Sequence, residues 1–173
     1  MKNTIIVSSL TLLTACTSVP QGIEPISGFE LDRYMGKWYE IARIENQFEA
    51  GLDNVTAEYS LKQDGSVKVI NRGLDADNQQ AKEAIGTAKF VGDPQTAHLK
   101  VSFFGPFYAS YIVFELDKSD YQYAYVSGYN KDYLWLLSRT PSLSESQILR
   151  FKMRAERLGF DLSKLVFPAH TKL

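Results

Sequence analysis

From residue 37 to residue 138 the chain repeats one device: a short run of alternating apolar and polar residues, then a turn. Val55, Ala57, Tyr59 and Leu61 interleave with Thr56, Glu58, Ser60 and Lys62, the period of two expected of a strand with one buried face. Asp64-Gly65 then signals a hairpin, and the alternation resumes through Val67 and Val69. Ala84, Gly86, Ala88 and Phe90 alternate with Thr87 and Lys89, as do Ala97, Leu99, Val101 and Phe103 with His98, Lys100 and Ser102. Further strands are expected at about 37–44, 107–116, 121–129 and 133–138. Gly, Pro, Asn and Asp punctuate the gaps, at Asp75, Asn78, Gly92, Pro94, Gly105, Pro106, Asp117, Asp120, Asn130 and Asp132. Eight short strands joined by tight turns predict an all-β domain, an up-and-down barrel or a sandwich.

At 173 residues one domain is expected. The formal charge is −1 and hydrophobic residues make up 45%, which argues against a disordered chain and a strongly basic nucleic-acid binder. A single cysteine excludes a disulfide scaffold. Residues 1–15 read as a secretory signal: Lys2, an apolar stretch from Ile5 to Leu13, then small residues. That stretch is about half the ~20 residues a spanning helix needs. Leu13-Thr14-Ala15-Cys16 resembles the bacterial lipobox, which implies cleavage before Cys16 and acylation of its thiol, hence a membrane anchor. Thr17 in the next position, rather than Asp, implies outer-membrane sorting by the same resemblance, with the domain facing the periplasm. Residues 16–28, with Pro20, Gly22, Pro25 and Gly28 and no periodicity, read as lipidated cysteine and flexible tether, leaving 29–173 as the folded domain. Ser27 and Glu30 suggest a capping box opening one helical turn through Leu31 and Tyr34.

A helix is expected after the last strand, opened by Pro141 and Ser142 with Glu145, and stopped at Gly159. Ile148, Phe151, Ala155 and Leu158 share one face of it. In the preceding strand Tyr133, Trp135 and Leu137 point one way and Leu134 and Leu136 the other, so that strand is covered on both sides and the helix packs outside it.

Gly36-Lys37-Trp38, at the start of the first strand, resembles the Gly-x-Trp signature of lipocalins, and Leu137-Ser138-Arg139-Thr140-Pro141 resembles their last motif. The middle signature is degenerate, Ser119-Asp120-Tyr121 standing where Thr-Asp-Tyr is usual. WYEIAR, VSFFGPFY and DYLWLLSRTP resemble stretches of the bacterial outer-membrane lipoprotein lipocalins. The resemblance covers about residues 28–168 and implies an eight-stranded antiparallel barrel with one C-terminal helix outside. It also implies that Trp38 and Arg139 stack across the closed end while Gly36 lets the backbone turn; with Tyr121 these are structural signature residues, not catalytic ones.

Parity anchored on an inward Trp38 assigns the barrel lining. Glu40 and Ala42 follow on the first strand, Ala57 and Tyr59 on the second, Val69 on the third, and Ala88 and Phe90 on the fourth. Leu99, Val101 and Phe103 come from the fifth, Tyr111 and Val113 from the sixth, and Trp135 and Leu137 from the eighth. The seventh shows no clear parity. Phe48 and Leu52 are expected at the mouth. Ala42, Ala57, Ala84 and Ala88 are small where a filled core would want bulk, so a cavity is expected, suited to an acyl chain. Glu40, Asn71, Tyr59 and Tyr111 could orient a headgroup, and no inward Lys or Arg stands out to clamp a carboxylate.

The resemblance implies a fatty acid or lysophospholipid-like ligand, held for storage or transport in envelope maintenance. The alternative is an envelope interaction module with a filled barrel; an enzyme acting on bound lipid is a third reading. His98 lies on an outward parity and His170 in the tail, so no His pair serves a metal or a triad, and no Gly-x-Ser-x-Gly elbow or phosphate loop occurs. No catalytic residue, metal, cofactor or nucleic-acid partner is expected, and a homodimer is left open.

Overall fold

The computed structural model describes residues 17–171; the expected signal peptide and Cys16 lie outside the described residues. A single helical turn, α1 (Leu31–Tyr34), precedes eight antiparallel strands: β1 (Gly36–Ile44), β2 (Leu52–Leu61), β3 (Val67–Asp75), β4 (Ala81–Phe90), β5 (His98–Phe104), β6 (Phe107–Leu116), β7 (Tyr123–Ser127) and β8 (Leu134–Ser138). Helix α2 (Glu145–Arg157) follows, then a 3-10 turn and a two-residue strand, β9 (Leu165–Val166). Each strand pairs with the next, and β1 closes the ring by pairing with both β8 and β2. This is the eight-stranded up-and-down barrel with one helix outside; β9 pairs with β1 at its edge.

Two apolar clusters flank the wall. The inner one includes Trp38, Val69, Leu99, Val113, Ala124 and Val126. The outer one lies under α2, where Phe151 and Ala155 bury against Tyr125, Leu134, Leu136 and Phe114. Leu137 therefore faces in while Leu134 and Leu136 face out, as the two-sided apolar pattern requires. On β7, Ala124 and Val126 face in and Tyr123 and Tyr125 out, which settles the parity that alternation left open.

Several boundaries differ from expectation for local reasons. The cap of α2 is Ser144, not Ser142: its hydroxyl accepts from the Gln147 amide while the Gln147 side chain accepts from the Ser144 amide. Glu30 opens α1 without any side-chain cap. The C-terminal residues through Thr171 are held to the barrel, His170 Nε2 lying 2.7 Å from the Glu40 carbonyl oxygen and the Ala169 amide donating to Asp53.

The largest departure concerns residues 17–28, expected as a free tether. They form a strap along the barrel wall. The Ile26 amide donates to the Val113 carbonyl, and the Ala97 amide donates to the Ile26 carbonyl. Ser27 bridges to Thr96, and Ile23 is buried in the outer cluster. These backbone pairings are made over long range by the groove beside β6, which composition does not reveal.

Candidate functional site

The closed end is locked by one arginine. Gly36 enters β1 at φ +93°, a conformation other residues rarely adopt, and a Cβ there would lie 3.5 Å from the Arg139 guanidinium. Arg139 lies 3.8 Å over the fully buried Trp38 ring. Its guanidinium donates to the carbonyls of Arg33, Met35 and Lys37 at 2.8–2.9 Å, and to that of Tyr121 at 3.3 Å. Tyr121 is buried beside it, its hydroxyl accepting from the Glu30 amide and its ring carrying Arg33. The four signature residues thus join α1, β1, the 117–122 turn and the end of β8.

Above this floor is a cavity of about 100 Å³, open at the other end. Ala57, Tyr59, Ala88, Leu99, Val101, Phe103, Tyr111 and Trp135 line it, together with Val69, Asn71 and Leu137. Phe90 and Val113 face inward but pack in the inner cluster without lining the cavity. Phe29, Leu31, Tyr34 and Met35, contributed by α1 and its flanks, line it as well. Gly86 matters for a different reason: a Cβ there would meet the Ser102 carbonyl oxygen at 2.7 Å and the Phe103 ring at 2.8 Å. Its absence lets β5 and the Phe103 ring come close.

Two expectations fail at the mouth. Ala42 does not line the cavity, because β1 bulges between Glu40 and Ala42 where it pairs with β8. The extra residue reverses parity, so Ala42 joins the outer cluster and Arg43, opposite Trp135, turns inward. Phe48 does not line the cavity either; it stands 67% exposed, and its loop instead sends Glu49 inside. Leu52, expected at the mouth, does open β2 at that end, off the lining.

The bulge also corrects the expectation of no inward cation. Arg43 is buried, with Nη1 2.8 Å from Glu40 Oε1, and with Nε and Nη2 donating to Glu45 Oε1 at 3.0 and 2.9 Å. Glu49 Oε2 accepts from Trp135 Nε1 at 2.9 Å and from Asn46 Nδ2 at 2.8 Å. Two carboxyl groups, Glu40 and Glu45, therefore hold one guanidinium, with Glu49 acting on Glu40. Glu45 already compensates Arg43, and burial, reinforced by the charge of Glu49, holds the Glu40 carboxyl well above the usual carboxylate range. The alternation of β1 contains no glycine or proline at the bulge, so nothing in the sequence announced it.

Deeper in, three tyrosines form a string: Tyr34 Oη lies 2.7 Å from Tyr111 Oη, which lies 2.9 Å from Tyr59 Oη. Burial pushes all three hydroxyls above the ordinary tyrosine range, so they stay protonated. Three hydroxyls sharing two hydrogen bonds leave one donor over. Asn71 Oδ1 is buried in the lining without a hydrogen-bond partner among the described residues. The cup is apolar with a few polar groups placed to orient an occupant. Among the described residues no cluster of His, Cys, Asp and Glu is arranged to hold a metal.

Residues 29–170 match the model of the lipocalin-like domain family. The outer membrane lipoprotein Blc of Vibrio cholerae is 47% identical over 167 residues, covering 96% of this chain and 98% of that protein. The Escherichia coli K12 protein of the same name is 47% identical over 158 residues, covering 90% and 89%. Apolipoprotein D of Bos taurus is 36% identical over 132 residues, covering 72% and 68%. Insecticyanin from the tobacco hornworm Manduca sexta shares the fold at a TM-score of 0.70 with 18% identity, over 90% of this chain and 88% of that one. The chain belongs to the lipocalin-like family.

Proposed function

We propose that the protein holds one single-chain amphiphile, its acyl chain in the cup and its headgroup at the mouth, as a lipid-anchored protein of the outer membrane. The supporting observation is the contrast between the apolar lining from Ala57 to Leu137 and the polar mouth, where the carboxyl groups of Glu40 and Glu49 stand. The apolar lining suits an acyl chain entering from the mouth. Arg43 is committed to Glu40 and Glu45, so it offers a free carboxylate little, and the neighbouring Glu49 disfavours one. A lysophospholipid with a zwitterionic head therefore fits better than a fatty acid. The similarity to outer membrane lipoproteins and the Cys16 motif support the anchor. Among the described residues no helix is long and apolar enough to cross a membrane. The role follows by partition: lipid enters and leaves the cup for storage or transport, with no bond made or broken.

Native mass spectrometry of the protein produced without its lipid anchor tests this. A co-purified or titratable lysophospholipid at one per chain is expected, displaced in competition more readily by lysophospholipid than by fatty acid. Ala88→Phe, which fills the cup from β4, should lower affinity about tenfold or more while leaving the fold intact by circular dichroism. A barrel that stays empty when titrated would favour an envelope interaction module with a filled core and overturn the lipid reading.

A further inference from the structure

The strap at residues 17–28 has a direction. Its end near Ser27 meets Thr96, in the turn at the closed end of the barrel. Its beginning lies at the opposite end: the Ser18 hydroxyl donates to the carbonyl of Tyr129 at 3.0 Å, in the loop that joins β7 to β8 on the open side. Ser110 Oγ, itself 3.1 Å from His98 Nε2, donates to the Ser18 carbonyl at 2.9 Å and fixes the strap there. The first described residue, Thr17, adjoins Ser18, so the chain enters the described structure on the open side of the barrel. A ten-residue strand such as β6 extends about 33 Å. An acyl anchor on Cys16, which is bonded to Thr17, would hold the domain from this side.

The same end carries exposed aromatics. Phe104 and Phe107 flank Gly105-Pro106 in the tight turn between β5 and β6, at 76% and 69% exposure, and Phe48 in the β1–β2 loop stands at 67%. Both loops lie on the open side, since strands alternate in direction from Gly36 at the closed end. Large apolar rings left in water at one end of a barrel mark a contact surface.

We propose that the mouth of the barrel faces the bilayer that holds the anchor, with Phe48, Phe104 and Phe107 seated in the membrane interface. The inference rests on acylation of Cys16, and it adds an orientation that acylation alone does not determine. The occupant is a phospholipid surface because the anchored chain emerges at this rim, so the bilayer is the nearest apolar phase to these rings. Asp75, Asp77, Lys82 and Lys131 stand at the same end, so the rim carries both signs and matches a zwitterionic surface. A lipid can then pass between bilayer and cup without crossing water, and the polar mouth meets the headgroup layer.

The acylated protein in phosphatidylcholine vesicles bearing brominated acyl chains provides the test. A reporter tryptophan is placed at the rim by Phe107→Trp, or in the exposed closed-end turn by Gln63→Trp, each in a Trp135→Phe background so that the tryptophan of the cup does not respond to bound lipid. Emission of the rim reporter should be strongly quenched, and that of the closed-end reporter should match unbrominated vesicles. Quenching at Gln63→Trp, or at neither site in protein that co-sediments with vesicles, overturns the orientation. So does a dimer, seen by sedimentation, whose rim reporter is shielded by the second copy. Failure to co-sediment overturns the anchor itself, and the orientation with it. As a second readout, the paired changes Phe104→Ser and Phe107→Ser should slow transfer of a fluorescent lysophospholipid out of vesicles several-fold, with affinity for the same lipid in vesicle-free buffer unchanged. Unaltered transfer would speak against a seated rim.

Discussion

Arg139 shows how much one side chain can hold when its geometry matches the groups around it. A guanidinium is a planar fork, and here its faces and edges are all used: one face on Trp38, the edges on the carbonyls of Arg33, Met35 and Lys37. A lysine retains the charge but can neither stack flat nor reach three carbonyls. Arg139→Lys should therefore cost about 1–3 kcal/mol in urea unfolding, as the part-buried carbonyls of Met35 and Tyr121 lose their donor and the stack on Trp38 is lost. Trp38→Ala, which removes a fully buried ring, should cost about 3–5 kcal/mol. If Arg139→Lys unfolds at the wild-type urea midpoint, the floor is not held this way.

Glu40 makes the opposite point, since it is costly to ionise. Its folded-state pKa lies above the ordinary 4.5, so the neutral carboxyl contributes stability that is complete below that value and is lost as pH rises towards the folded value. Wild type should lose melting temperature across this window, and Glu40→Gln should flatten the loss. Parallel slopes in a melting series from about pH 4 to about pH 8 would place the titration elsewhere.

Elements were legible where their own residues carry the period. The strands from β2 to β6 follow alternation and turn residues, and α2 follows the spacing of Phe151 and Ala155. The strap was not legible, because Ile23 and Ile26 stand singly among Pro and Gly and gain their partners only from the assembled wall. Burial of Ile23 gives this a measurable consequence. Ile23→Ala should destabilise the domain by about 2–3 kcal/mol by thermal or urea unfolding. A free tether predicts no change.

Across the whole molecule, the fold was readable and the cup only in part. Most inward positions on β2, β4 and β5 follow from parity because those strands keep register over the stretch that matters. Beyond the bulge in β1 the parity inverts, so Ala42 and Arg43 exchange sides. Glu49 and Phe48 depend on the path of a loop, which no periodicity encodes. The polar mouth is thus what sequence missed, and it is the part that discriminates among headgroups.

β1 is held on both sides, by β8 and by β2, so the wall is a hoop with no free seam. A hoop has a fixed girth: its perimeter is set by strand number and spacing and cannot swell to admit a thicker guest without losing a whole ladder of backbone bonds. Adjustment to different lipids must then come from the rim and the side chains of the lining, while the frame stays constant. Lipids that differ in length should be accommodated by how far they protrude from the mouth, and those that differ in thickness should be refused.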